Sequence, residues 1–361
     1  MRRRPTKIRS QAFCVRYRAG CATDFPTTDG DRREAERLDR YLVRLGWAGS
    51  RRAAVELISS GRVRVNGRHF RKGEVIAPGD RVEVIPTATH DALASNPGLK
   101  IEILFEDAAL IVANKPALMP CHPLRFDERD TVMNAIVAAY PETALAGDKP
   151  LEGGLIHRLD NGTSGALMVA RNHEAFIAMR EALRTARVTR RYRALVTGRF
   201  EGPMEIAAPI AHHPKNPRKM VVIDTMSNPI RLEIVSSATR NSEMGAPLAS
   251  SSVRYRSNPR PALTQVEALS YEVGFTVVQV TPRTGNRHQI RVHLSSAGFP
   301  IAGDELYGGP PLAGLAPGRF WLHLTELEFE SPTGVRAKVT APLARDLEDS
   351  VARLRAHSVG R

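Results

Sequence analysis

The spacing of apolar positions divides the chain into stretches of different period. In ERLDRYLVRLGWAGS, Leu38, Leu42 and Leu45 recur at three- and four-residue intervals, which predicts a helix. Arg37, Arg40 and Arg44 fall on another face of that helix, and Gly46 is a natural stop. Ser50 reads as the N-cap of a second helix, SRRAAVELISS, with Gly61 just past its end. In RVRVNGR the period drops to two: Val63 and Val65 alternate with Arg62 and Arg64, and Asn66-Gly67 is a tight-turn pair. GEVIAPGDRVEVI adds a second turn and a closing strand. Residues 34–85 thus form a unit of two short helices on a small hairpin sheet. Arg37, Arg40, Arg44, Arg51, Arg52, Arg62 and Arg64 give it a surface for a phosphate backbone.

Around this unit the texture differs. Residues 1–33 show no sustained period and read as a basic, disordered arm. Residues 86–100 are polar, with Pro and Gly, and read as a linker. From Ile101, IEILFEDAALIVANKP predicts two strands, and DTVMNAIVAAY predicts a helix capped at Asp130. QIRVHL alternates Ile290, Val292 and Leu294 with Gln289, Arg291 and His293, predicting a strand whose polar face presents the last three. Strands and helices mix irregularly from 101 to 345. The expected fold class is therefore α+β: a small N-terminal domain, then a large domain on a mixed sheet with flanking helices. Residues 224–261, rich in Ser, Asn and Pro, read as a loop-like insertion, and 346–361 as a C-terminal helix with a frayed tail.

Composition narrows the class. The chain has 361 residues, 42% of them hydrophobic, enough for more than one core. No run of 18 apolar residues predicts a membrane span, and no apolar segment follows the basic MRRRPTKIRS to make a secretory signal. Cys14, Cys21 and Cys121 are odd in number and scattered, which fits a reducing cytosol rather than a disulfide framework. Cys14 and Cys21 lack zinc-ligand spacing, so no metal is expected. The net charge is +14, and residues 1–85, with 20 Lys+Arg and 10 Asp+Glu, carry +10 of it. A basic front end points to a polyanionic partner.

Two stretches carry candidate chemistry. GGLIHRLDNGTSGALMVARN, residues 153–172, sets His157, Arg158 and Asp160 between glycine clusters, with Asn161-Gly162 able to turn at positive φ. An aspartate beside an arginine is a candidate nucleophile or base whose charge the arginine maintains; it is equally a turn cap with an ion-pair partner. TPRTGNRHQIRVHLSSAGFPIAGDELYGG, residues 281–309, packs Arg283, Arg287, His288, Gln289, Arg291 and His293 into eleven positions with no acid among them.

Together these stretches resemble the RluA-type family of pseudouridine synthases. The matching segments are NKPALMPCHP (114–123), HRLDNGTSG (157–165), RRYRALVTG (190–198) and TGNRHQIRVHLSSAGFPIAGDELYGG (284–309). RLDRYL, SRRAAVELISSGRVRVNG and PGDRVEV are similar to the alpha-L RNA-binding motif, and the whole resemblance covers about residues 34–340. It implies a catalytic domain on a mixed, mostly antiparallel sheet. It implies isomerisation of uridine to pseudouridine in structured RNA, with no cofactor. Asp160 would be the catalytic aspartate and Arg291 its partner; Tyr192 would stack on the flipped base and help remove the proton. Arg158 would fill the vacated space or hold a phosphate, with His157, Arg287, His288 and Gln289 near the flipped nucleotide and Ile290 lining the uracil pocket. Members with the alpha-L domain mostly act on large-subunit (23S) ribosomal RNA; transfer RNA is the alternative partner, and a monomer without membrane attachment is expected. The chain departs from the family at Leu118 (usually Gly), Asn161-Gly162 (often Lys-Asp) and Asn286-Arg287 (usually Arg and a small hydroxyl residue).

Two other classes compete. A non-catalytic RNA-binding assembly factor would keep the fold, but Asp160, Tyr192 and Arg291 are all present. A glycoside hydrolase needs paired carboxylates, and the motifs offer Asp160 without an evident second acid.

Overall fold

A computed structural model describes residues 35–84 apart from 46, 49, 50 and 78, residues 93–223, and residues 257–359. Contacts divide the chain between Asp91 and Ala92 into two compact units. The expected arm, Gly46, Ser50, Pro78, residues 85–92 and most of the insertion (224–256) lie outside the described residues.

The first unit contains β1 (Glu36–Arg37), α1 (Leu38–Arg44), α2 (Arg51–Ser59), β2 (Val63–Val65), β3 (Arg68–His69), β4 (Val75–Ile76) and β5 (Val82–Val84). Strands β3, β2 and β5 form one small sheet, and β1 pairs with β4. Leu38, Leu42, Ala54, Ile58, Val63 and Val65 close its core. Asn66 and Gly67 both take positive φ, 51° and 77°, as the hairpin between β2 and β3 requires. Arg37 does not sit on the helix face. It precedes α1 in β1, and it and Arg51 bind the buried Asp39 while Arg44 binds Glu36. Arg40, Arg52 and Arg64 are exposed.

The second unit starts before Ile101: Leu93 is buried in its core, and the Asn96 N–H donates to Asn134 O. It runs β6 (Ile103–Glu106), β7 (Leu110–Lys115), α3 (Val132–Ala139), β8 (Ser164–Ala170), α4 (His173–Arg184), β9 (Thr189–Thr197), β10 (Met204–Ala207), β11 (Ile210–His212), β12 (Met220–Val222), β13 (Leu263–Glu272), β14 (Phe275–Pro282), α5 (Gln289–Ser296), β15 (Leu322–Glu330), β16 (Arg336–Thr340) and α6 (Arg345–Val359). The main sheet has the order β10-β13-β14-β9-β15-β8-β7-β6, with β16 on β15. Only β15 and β8 pair in parallel among the described strands, so the sheet is mixed and mostly antiparallel. β8 is buried along its whole length, which suits its central place. Thr131, not Asp130, caps α3, in a reciprocal box with Asn134. The C-terminal segment is a packed helix: Leu347 and Val351 are buried, and Trp321 donates to Leu347 O.

Two expectations are corrected. QIRVHL is helix α5, not a strand. Gln289 to Leu294 are all buried, so partners lie on every side and alternation of residue type marks no exposed face. Ile290 and Leu294 join the main core, whereas Val292 packs with Ile210, Met220 and Tyr307. Nor do Asn161 and Gly162 take positive φ. Gly162 is required by close approach: a Cβ there would lie 2.4 Å from Gly318 O and 2.6 Å from a Phe320 ring carbon.

Leu118, by contrast, does hold positive φ, 64°, and is 39% exposed. A left-handed conformation costs a non-glycine residue roughly 1–2 kcal/mol, and glycine returns about 0.5–1 kcal/mol of that through its freer unfolded chain. Leu118→Gly should therefore stabilise the protein by about 0.5 kcal/mol in urea unfolding. A loss of stability would mean that the leucine side chain packs better than its exposure indicates.

Candidate active site

The HRLD segment lies against the central strand before turning into it. Ile156 N–H donates to Met168 O, and Thr163 N–H donates to Asp160 O. Three buried groups then fix the turn. Lys115, fully buried at the end of β7, donates through Nζ to Asn161 O (3.2 Å), Thr163 O (2.7 Å) and Pro116 O (2.9 Å). Arg319 donates to Gly162 O (2.6 Å) and Ser164 Oγ (2.9 Å). Cys121 exchanges hydrogen bonds with both backbone groups of Leu159 at 3.3 Å. Burial pushes the Lys115 ammonium down to about 8, which leaves it protonated at neutral pH with three carbonyl acceptors for its three protons.

Asp160 is thereby presented at a cavity of about 510 Å³ lined by Arg158, Asp160, Tyr192, Arg287, His288, Ile290 and Arg291 among others. That volume suits one nucleobase and its sugar. Arg291, on α5, donates Nη1 to Asp160 Oδ2 at 3.0 Å and, through Nε and Nη2, both at 2.7 Å, grips Asp304. Burial opposes the guanidinium's charge, but bonds to Asp304 and the two carboxylate charges outweigh it and raise its pKa. Arg291 Cζ lies over the Phe320 and Tyr307 rings, 4.2 and 5.0 Å from their centroids. Asp304 is the second acid the sequence reading did not find, although GDELYGG contains it. It is 2% exposed, Arg291 takes both its oxygens, and it does not line the cavity, so it cannot join Asp160 in a hydrolase pair.

The remaining candidates separate. Arg158 is exposed at the rim, its Nη1 3.5 Å from His122 Nε2. Tyr192, on β9, is buried, and burial pushes its phenol up to about 12. Arg287 is exposed, with its guanidinium 3.5 Å from Pro217 O and Arg218 O. His288 stands between Asp160 and Tyr307. Gln289 and His157 also line the cavity and carry structural hydrogen bonds as well. Gln289 spends its amide on Thr284, Asn286, Leu263 and Thr264, pinning the preceding loop to β13. His157 is buried and accepts from Met168 N–H. Lys115 and Arg319 went unassigned because a cation serving backbone carbonyls leaves no spacing signal. Among the described residues no group of His, Cys, Asp and Glu could hold a metal ion, and no helix is long and apolar enough to cross a membrane.

Residues 109–296 match the family model described as RNA pseudouridylate synthase, which spans β7 to α5 and includes Asp160 and Arg291. The chain belongs to the RNA pseudouridylate synthase family. Residues 36–82 match the S4 domain, the RNA-binding fold of the first unit. The chain is 32% identical over 316 residues to an uncharacterized RNA pseudouridine synthase of Chloroflexus aurantiacus, covering 87% of this chain and 88% of that protein. It is 31% identical to the uncharacterized RNA pseudouridine synthase YlyB of Bacillus subtilis, covering 91% and 97%. It is 30% identical to the ribosomal large subunit pseudouridine synthase D of Pseudomonas aeruginosa, covering 86% and 89%. The synthase is thus an RluA-type isomerase acting on RNA, with an N-terminal S4 domain.

His157 gives the site a measurable acid sensitivity. Burial pushes its imidazole down to about 3, whereas an unfolded histidine titrates near 6.5. Below pH 6.5 the unfolded chain binds a proton that the folded chain refuses, so stability falls as pH falls from about 6.5 toward 3. His157→Gln should remove one proton's share of that slope, about 1.4 kcal/mol per pH unit, in urea unfolding between pH 6 and 4.5. An unchanged slope would show that His157 is protonated in the folded protein.

Proposed function

We propose that the synthase converts uridine to pseudouridine in large-subunit ribosomal RNA, with Asp160 acting on a nucleotide flipped into the cavity. The observation that carries this reading is the presentation of Asp160: a carboxyl group, 24% exposed, held by a buried arginine at the wall of a nucleoside-sized cavity. The reaction breaks the bond between uracil N1 and ribose C1′, turns the base, joins C5 to C1′ and releases the C5 proton. Nothing is oxidised and no group is imported, so one carboxylate and a binding site suffice. Asp160 attacks or stabilises charge at the reacting centre.

Flipping costs a few kcal/mol of stacking. Arg158 at the rim is placed to fill the gap or hold the neighbouring phosphate, and Tyr192 offers a ring to the base. A phenol pushed up to about 12 is a poor base before substrate arrives, so stacking is the role its environment favours. Lys149, Arg180, Arg184, Arg260 and Arg287 also line the cavity and suit a phosphate backbone. The S4 domain and the relatives named for the ribosomal large subunit favour ribosomal RNA over transfer RNA.

Purified protein given RNA with tritium on uracil C5 should release the label from ribosomal RNA. Asp160→Asn should abolish release while binding RNA as the parent does. Turnover by that variant would refute the role of Asp160, and release from transfer RNA instead would refute the substrate.

A further inference from the structure

Asp160 gives one carboxylate oxygen to Arg291. No hydrogen bond reaches the other, Oδ1, among the described residues; His288 Nε2 faces it at 3.9 Å. His288 is held there at a cost. It takes φ 53°, ψ 17° at the N-cap of α5, a left-handed conformation that L residues other than glycine avoid. Its Nδ1 lies 2.9 Å from Tyr307 Oη, and the rings meet edge to face at 5.7 Å.

Tyr307 is itself tied down on two sides. Its Oη accepts from Met220 N–H on β12 (2.8 Å), and its carbonyl accepts from Ser295 Oγ on α5 (2.7 Å). Its ring packs with Val292, Ile210 and Met220. The hydrogen-bond arithmetic then assigns a tautomer. With the Met220 N–H on Oη, the phenol proton finds its acceptor at His288 Nδ1, and the imidazole proton sits on Nε2, facing Asp160. The reverse tautomer would leave the buried phenol proton without an acceptor. Burial favours the neutral forms this requires, pushing the phenol up to about 12 and the imidazole down to about 4.

We propose that His288, fixed by Tyr307, is a positioning residue for Asp160: its Nε2–H holds Oδ1 while Arg291 holds Oδ2, so that the carboxylate plane is set for the reacting nucleotide. The inference rests on Asp160 being the catalytic carboxylate. A closure of about 1 Å brings Nε2 to hydrogen-bond length. That movement is smaller than the reach of either side chain, and a bound nucleotide that excludes water from the gap favours it. A residue serving only as a left-handed cap would need neither the Tyr307 partner nor a face toward Asp160.

Four variants decide the matter, with kcat and KM measured by tritium release and folding checked by urea. His288→Gln carries an amide nitrogen to the position of Nε2. His288→Asn tolerates the left-handed backbone but is too short to reach. Tyr307→Phe removes the group that sets the tautomer, and Asp160→Asn tests the reading beneath. Tyr307→Phe and His288→Asn should each lower kcat about tenfold or more with KM changed less than about twofold, and His288→Gln should recover most of the loss. Equal activity of the Gln and Asn variants, or a loss confined to KM or stability, overturns the proposal. If only Asp160→Asn is inactive and the other three match the parent, the inference fails while the catalytic role of Asp160 stands. Turnover by Asp160→Asn sinks both.

Discussion

The site depends on one buried guanidinium. Arg291 lies between Asp304, which takes two of its donors, and Asp160, which takes a third. A buried arginine without partners is costly, and a buried ion pair repays its desolvation only with good geometry. Here the geometry is a planar fork matched to a carboxylate, with its carbon over an aromatic ring. Asp304 anchors the arginine, and the arginine then orients Asp160. The two acids therefore divide the work. One is sealed and structural, while the other keeps part of its surface in the cavity.

The rest of the fold delivers these groups to one place. β8 sits between β15 and β7 in the middle of the sheet, so the loop before it has strands on both sides. Lys115 from β7 and Arg319 ahead of β15 reach the carbonyls of residues 161, 162 and 163. Those carbonyls belong to a loop with no ladder of its own, and buried carbonyls need donors. Cations from the two flanking segments supply them and thereby fix Asp160 in relation to the sheet. Helix α5 brings Arg291 from the other direction, its residues packed into two separate apolar clusters.

How much of this was legible in the sequence follows from how each feature is encoded. The S4 unit was readable because its helices have one exposed face and its hairpin needs Asn66-Gly67. Asp160, Arg158, Tyr192 and Arg291 stood out because their motifs are dense in chemistry and ordered along the chain. Helix α5 is not legible from the pattern because a short helix buried on all sides has no polar face, and six residues of alternation fit a strand equally well. Gly162 was assigned to backbone conformation when the constraint is the carbonyl of Gly318, a neighbour more than 150 residues away and invisible to local patterns. Lys115 and Arg319 act through backbone carbonyls distant in sequence, so spacing could not reveal them, whereas Asp304 pairs with Arg291 inside one motif, where no local pattern distinguishes a buried acid from a turn residue. Leu118 runs the other way: the resemblance implies glycine at this position, and the left-handed backbone there is one that glycine adopts without strain.

The most direct test of the central role of Arg291 is the turnover of Arg291→Lys. Lysine keeps the positive charge but presents a compact ammonium in place of a fork, so it cannot hold both carboxylates in the parent geometry. If the fork orients Asp160, kcat should fall by about a hundredfold or more while RNA binding stays intact. A lysine variant turning over within a few-fold of the parent would mean that charge alone suffices at this position, and that the alignment of Asp160 comes from elsewhere.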